Sequence, residues 1–253
     1  MRPRIALVAR WASGLTGTTT TLLEHARRLC ARGWEAHVYA EKADAGRFAS
    51  VGAEVHVVPR FPLVSWLKRR VFAYRVDREL AAEGYEVVFG HGDGLRQDIL
   101  SLHNCVHAAA RAVHGREPSP FSGTARLHSL QLQRRLFKRL IANSRLTKEE
   151  VLKRFGVPEG LVSVIYPGHD PERFKRSDRR SKGSVIRERA GLRPGELLVG
   201  LITSGDFAKR GVAPFLTSLA RLPTDLKDKT RVLVVGQESR LGPYKRLAAE
   251  AGF

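Results

Sequence analysis

The feature that most constrains this chain is its opening. A short apolar run, Ile5 to Ala9, breaks into a Gly/Ser/Thr-rich turn from Ala12 to Thr21. Leu22, Leu23, Ala26, Leu29 and Cys30 then recur at helical spacing, and Gly33 supplies a C-cap. Ala36 to Ala40 alternates as the next strand. Strand, glycine loop, helix and strand in that order begin a parallel α/β sheet.

The pattern recurs along the chain. Val55 to Val58, Val87 to Gly90, Ile99 to His103, Leu140 to Asn143 and Val162 to Tyr166 are expected strands. Leu63 to Leu80, Ser129 to Leu140 and Thr147 to Phe155 are expected helices. Between His169 and Gly183 the apolar content falls to Phe174, which predicts a linker. A second unit follows: a strand from Leu197 to Ile202, a turn from Thr203 to Gly211, and a helix after it. The strand Val232 to Val235 and a helix from Gly242 complete that unit. The expectation is an α/β chain with a Rossmann-like domain over residues 1–168, a linker over 169–183 and a partial second Rossmann-like domain over 184–253. The second is read as partial because two strands are too few for a parallel sheet buried on both faces.

Charge narrows the partners. Among 253 residues, 44 Lys+Arg oppose 25 Asp+Glu, a net charge of +19. A chain this basic meets something anionic: phosphorylated ligands, a membrane surface or nucleic acid. Arginine-rich composition is a further source of the charge. No helix-turn-helix, zinc-finger or RNP pattern is present, so no specific nucleic-acid partner is expected. The first apolar run ends at Arg10, short of a signal-peptide core, and no apolar run is long enough to span a bilayer. Cys30 and Cys105 are too few for a disulfide framework, and reduced cytosolic thiols are expected.

Two turns suit phosphate. Ser13 to Thr18 carries Gly14 and Gly17 ahead of a helix N-terminus. Its Gly-x-x-Gly spacing is not the dinucleotide fingerprint, and a plain tight turn fits it as well. Ser204 to Gly211 places Lys209 and Arg210 beside Gly205 and Gly211, a cation pair able to hold a diphosphate or simply to face solvent.

The stretch from Leu140-Ile141-Ala142-Asn143-Ser144, through Lys148 to Phe155, Gly156-Val157-Pro158 and Val162 to Tyr166, ends in Pro167-Gly168-His169-Asp170-Pro171-Glu172-Arg173-Phe174. This order resembles the inter-domain hallmark of retaining, family 4 glycosyltransferases of the GT-B fold. Gly205-Asp206-Phe207 and Val234-Val235-Gly236-Gln237 are most similar to the lipopolysaccharide core glucosyltransferases that act on heptose. The resemblance implies donor-phosphate binding at Gly14, Gly17, Gly205, Lys209 and Arg210, and a catalytic-site role for His103 near sugar and acceptor. It departs from the family in lacking an adjacent Gly-Gly pair at the first turn and in ordering the cations Lys then Arg. It also implies that the family's ribose-binding acid and its Glu-x7-Glu segment lie beyond Phe253, so the donor half is expected to be truncated.

The implied reaction moves a sugar from a nucleotide-diphosphate donor, expected to be UDP-glucose, to a glycolipid acceptor with retention. Cations can neutralise the departing diphosphate, so no cofactor and no required metal are expected. His103-x-Cys105-x-His107 alternates as a strand end would, but no second ligand pair accompanies it, so no metal site is read there, nor with His91 and His114. His91 and Asp93, on a strand-end loop, are candidates for touching the acceptor, and Asp98 for orienting its hydroxyl. Trp66, Lys68, Arg69, Arg70 and Phe72 interleave aromatics with cations, and residues 126–154 hold nine Lys/Arg and two Glu. Both segments read either as solvated helix faces or as surfaces lying on anionic lipid. The second option implies peripheral attachment to the inner face of the cytoplasmic membrane. The competing readings are a non-catalytic remnant and a basic nucleic-acid-binding protein.

Overall fold

All strand pairings among the described residues are parallel. The computed structural model describes residues 2–14, 16–61, 65–172, 174–175 and 178–253; the side chains of residues 65, 66 and 178–181 also lie outside the description. Contacts divide the chain into two compact units, Met1–Pro167 and Gly168–Phe253.

The first unit opens with β1 (Arg4–Val8), β2 (Trp11–Ala12), α1 (Gly17–Cys30), β3 (Glu35–Ala40), β4 (Lys42–Ala43), α2 (Ala45–Ala49) and β5 (Glu54–Val57). It continues with α3 (Ser65–Glu83), β6 (Val87–Gly90), β7 (Ile99–Leu102), α4 (Val106–His114) and α5 (Gly123–Gln133). β8 (Arg139–Ala142), α6 (Arg145–Phe155) and β9 (Val162–Val164) close it. Seven strands form one sheet in the order β5-β3-β1-β6-β7-β8-β9, and β2 pairs with β4.

Period-two alternation explains the two-sided core. Ile5 and Leu7 pack on one face with Leu22 and Ala26 of α1. Ala6 and Val8 pack on the other with Phe72, Val76 and Leu80 of α3. A strand covered on both faces must be apolar throughout, which is why Ile5 to Ala9 reads as an unbroken run. A third cluster joins Leu100, Leu132, Phe137, Leu140, Val151 and Val162.

Several elements differ from expectation. α5 ends at Gln133, and Arg135 turns left-handed (φ 51°), so the expected 129–140 helix stops seven residues early. The turn lets both Leu132 and Phe137 enter the core. The run after His103 is α4 rather than a strand end, because Ala108 to Ala110 are strong helix formers beyond the sheet edge. Phe72, expected to face lipid, is core. Residues 178–183 of the expected linker open α7 (Asp178–Arg189), since Arg, Lys and Glu favour helix without apolar content.

The second unit holds α7, β10 (Leu197–Ile202), α8 (Val212–Leu219), α9 (Thr224–Lys227), β11 (Thr230–Val235) and α10 (Gly242–Glu250). β10 and β11 pair in parallel, and Phe207, Val212 and Leu216 form the core over them. No helix among the described residues is long and apolar enough to cross a membrane.

Burial of imidazoles makes the first unit acid-sensitive. His128, buried against His107 and Phe155, is pushed down to about 4, chiefly by desolvation. The unfolded chain therefore takes up this proton first as pH falls. The stability involved, about 3 kcal/mol, is complete above about pH 6.5 and is lost progressively toward about pH 4. We expect His128→Phe, which keeps the ring contacts, to lose less melting temperature over that interval than wild type. Equal losses in calorimetry would remove His128 from this account.

Candidate active site

In a parallel sheet every strand delivers its C-terminal residue to the same edge, the usual ligand edge of an open α/β fold. Here that edge collects Arg10 after β1, Glu41 after β3, His91 and Asp93 after β6, His103 after β7 and Asn143 after β8. His91 N–H donates to the Val8 carbonyl (2.8 Å), extending the ladder by one residue before Gly92 turns left-handed (φ 92°).

Two ion pairs fix the loops. Arg10 Nε lies 2.7 Å from Glu41 Oε2, with both side chains under 10% exposed (8% and 4%). The contact is ionic rather than a directed hydrogen bond. Glu41 N–H donates to the Arg10 carbonyl (2.9 Å), so backbone and side chains lock the same two loops. Asp93 accepts from Arg10 N–H through Oδ2 (3.0 Å) and from Arg69 through Oδ1 (2.5 Å). Arg69 is thus turned onto the sheet edge, not onto a lipid surface.

Beside these charges lies an imidazole pair. His91 Nδ1 and His103 Nε2 are 3.2 Å apart, so one nitrogen donates to the other. His91 is buried between Phe89 (4.9 Å between centroids), His25 (5.4 Å) and His103 (5.5 Å), and its Nε2 has no hydrogen-bond partner among the described residues. Burial, reinforced by His103 and His25, holds His91 well below the usual imidazole range. Burial also lowers His103, with Asp93 opposing. Both rings are therefore neutral near pH 7. Asn143 Nδ2 donates to the His103 carbonyl (2.6 Å), Thr147 donates to Asn143 Oδ1 (2.8 Å), and Ser144 caps α6.

The glycine turn sits at the same edge. Gly14 is left-handed (φ 75°) and its carbonyl accepts from Arg47 (3.2 Å); Thr16 caps α1 and Gly17 is its first residue. Asp98 stands apart. It precedes β7 at the opposite edge, where it accepts from Val88 N–H (2.7 Å) and pairs with Lys138 (2.7 Å). That position makes it a brace between strands.

In the second unit the loop after β10 carries Gly205, Lys209 and Arg210. Gly205 has φ 130°, and a Cβ there would strike the Gln237 carbonyl. Asp206 is left-handed (φ 54°); its carboxylate accepts from Lys209 N–H (3.3 Å) and its carbonyl from Arg210 N–H (3.0 Å). Glu238 ties this loop to the next by accepting from Phe207 N–H (3.1 Å) and Arg240 N–H (3.0 Å), bonds that lower its carboxyl below the usual range. The Lys209 and Arg210 side chains are exposed on this loop and free to meet an anion, Arg210 also reaching Ser204 (3.4 Å). An open depression of about 710 Å³ beside the loop is lined by Asp206, Gly236, Gln237, Glu238 and Ser239.

The sequence profile of Glycosyltransferase Family 4 matches residues 15–173, more than half of the chain. The chain belongs to Glycosyltransferase Family 4. Its fold is that of the GT-B glycosyltransferases. It superposes on WaaG, a glycosyltransferase involved in lipopolysaccharide biosynthesis, with a TM-score of 0.79 at 19% identity, over 98% of this chain and 67% of that one. It superposes on Anabaena Alr3699/HepE, solved with UDP and glucose, with a TM-score of 0.66 at 17% identity over 98% and 65%. Among curated proteins it is 35% identical over 152 residues to D-inositol 3-phosphate glycosyltransferase 2 of Catenulispora acidiphila, covering 57% of this chain and 33% of that protein. It is 32% identical over 125 residues to the D-inositol 3-phosphate glycosyltransferase of Streptomyces bingchenggensis, covering 45% and 26%. The matched segments thus span about a quarter to a third of those relatives.

In this Family 4 chain the Asn143-Ser144 motif has a physical reading: one side chain holds the strand end bearing His103 and the other caps the next helix. Of the sequence candidates, the structure brings together His91, Asp93 and His103, places Gly14 and Gly17 on the same edge, and sets Gly205, Lys209 and Arg210 on one loop of the second unit. It separates Asp98 and turns Arg69 inward. Lys68 is half-buried, Arg70 exposed, and the side chain of Trp66 lies outside the described residues. Sequence reasoning missed Arg10, Glu41, His25 and Glu238. Only the strand-end positions of Arg10, Glu41 and Glu238 signalled them; His25, inside α1, carried no such signal.

Breaking one member of the buried pair should cost more than removing both. Glu41→Leu is expected to destabilise the unit by about 3 kcal/mol, and Arg10→Met with Glu41→Leu by clearly less. Denaturant titration reads this, and additive losses would contradict a coupled pair.

Proposed function

We propose that this chain serves transfer of a sugar, glucose in particular, from a nucleotide-diphosphate donor to an anionic glycolipid acceptor, with retention at the anomeric carbon. The observation that carries the reading is the loop after β10, where two exposed cations, Lys209 and Arg210, stand at a strand C-terminus. A departing diphosphate builds up negative charge, and preorganised cations stabilise it. Lys209 and Arg210 take that role, which needs no metal. Within the first unit, the Gly14–Gly17 turn and the N-terminus of α1 offer N–H donors of their own with a favourable dipole. The neutral His103, steadied by His91 and Asn143, is suited to the acceptor hydroxyl and its proton.

Family membership and the likeness to WaaG support the lipopolysaccharide-type acceptor. Net charge and exposed aromatics support a peripheral site on anionic lipid at the cytoplasmic face. Arg75 lies over Phe61 (4.8 Å) and Arg60 over Trp11 (5.8 Å), and both rings are over 40% exposed (44% and 47%). These pairs replace Phe72 and Arg69 as the aromatic–cation surface. A second reading, a soluble phosphorylated polyol acceptor, is favoured by the 32% and 35% identical inositol phosphate enzymes.

Calorimetry with UDP-glucose tests the donor site. Lys209→Ala and Arg210→Ala should each weaken binding by about ten- to a hundredfold, the scale of one charge-assisted hydrogen bond. Unchanged affinity in both would remove the clamp, and no binding by wild type would favour a non-catalytic remnant. Glucosyl transfer to glycolipid in anionic vesicles, compared with transfer to D-inositol 3-phosphate, separates the two acceptors.

A further inference from the structure

At the far end of the large sheet from His91 and His103, three potential ligands converge in a place the transfer chemistry does not use. In the parallel register His37 of β3 lies beside Glu54 of β5, and Tyr39 beside His56. Because alternate residues share a face, all four project from the same side. His37 Nδ1 and His56 Nε2 are 2.9 Å apart. The Glu54 carboxylate reaches them at 3.6 and 3.7 Å. All three ligand atoms lie within 4.8 Å of one another.

We propose that His37, Glu54 and His56 bind one divalent transition-metal ion, with zinc the best fit, which fastens edge strand β5 to β3.

The spacing suits that ion. Zinc bonds of about 2.0–2.1 Å in tetrahedral geometry place ligand atoms about 3.3–3.4 Å apart. The two nitrogens need to open by a few tenths of an ångström; the 3.6 and 3.7 Å contacts use different oxygens of Glu54, so the exposed carboxylate must swing one oxygen toward both rings. Two imidazoles and one carboxylate are the donor types that zinc accepts, whereas magnesium and calcium take oxygen alone. Glu54 is exposed, so water completes the coordination from the solvent side.

The rings are held ready. His56 stacks on the buried Tyr39 (4.6 Å, 11°) and on His37 (5.2 Å), while Tyr85 meets His37 edge-on (5.2 Å). The Tyr39 and Tyr85 hydroxyls are hydrogen-bonded at 2.8 Å. The nearest cation, Arg4, is engaged with Glu83 (3.0 Å) and Glu35 (4.0 Å). The edge position gives the metal a task, since an unpaired edge strand is otherwise held from one side only.

Cobalt(II) titration of tag-free, EDTA-treated protein tests this. We expect saturation at one equivalent with the visible absorption of a tetrahedral nitrogen–oxygen site, displacement by zinc and no competition from magnesium. Glu54→Gln and His56→Asn should each weaken binding at least about tenfold. Zinc should raise the melting temperature of wild type and not that of either variant. Glu54 is exposed, so its variant keeps the test open should His56→Asn fail to fold. Absence of a one-equivalent site, or wild-type affinity in Glu54→Gln, would overturn the proposal.

Discussion

A sheet whose strands all run one way carries two obligations, and most of this molecule follows from them. Both faces need cover, so the central strands are largely apolar and most crossovers carry a helix with an apolar stripe, the 91–98 link from β6 to β7 being the exception. Every strand also ends at the same edge, so the residues just past β1, β3, β6, β7 and β8 become neighbours whatever their separation in sequence. Arg10 and Asp93 are 83 residues apart and share a hydrogen bond. His103 and Asn143 are 40 apart and share another. Strand polarity creates the candidate site, and the side chains then specialise it.

That site is expensive to assemble. Removing Arg10 and Glu41 from water costs several kcal/mol per ion unless the geometry is good, and a buried imidazole with an unpartnered nitrogen has no stabilising purpose of its own. Such groups are tolerated where they serve chemistry. Here the charges hold the loops at Asp93 and Glu41, while burial keeps His91 and His103 neutral beside them. The second unit uses a different device. Asp206 and Glu238 accept from backbone amides of its loops, which stiffens the turn that presents the Lys209 and Arg210 side chains.

How much of this was legible in the sequence depends on range. Ile5 to Ala9 and the Leu22, Ala26 spacing are local signals, and β1, α1 and β3 lie where they predict. The family hallmark around Asn143 was legible because it is contiguous. The end of α5 was not, since the left-handed turn at Arg135 is dictated by the core's demand for Phe137. Asp98 directly precedes the expected strand from Ile99; what the sequence does not show is that Val88 N–H and Lys138, distant in the chain, occupy its carboxylate. Arg69 reads like a surface cation because its partner, Asp93, is 24 residues away. Glu54 and His56 are unremarkable in sequence, and only the β3–β5 register sets them beside His37.

The central claim is that the loop from Gly205 to Gly211 receives the diphosphate of a nucleotide-sugar. Amide-resolved NMR during titration with UDP tests it residue by residue. The account predicts saturable shifts at Gly205 to Gly211 and at Gln237 to Ser239, with the largest at Lys209 and Arg210. Saturable binding that leaves those amides unmoved would contradict it.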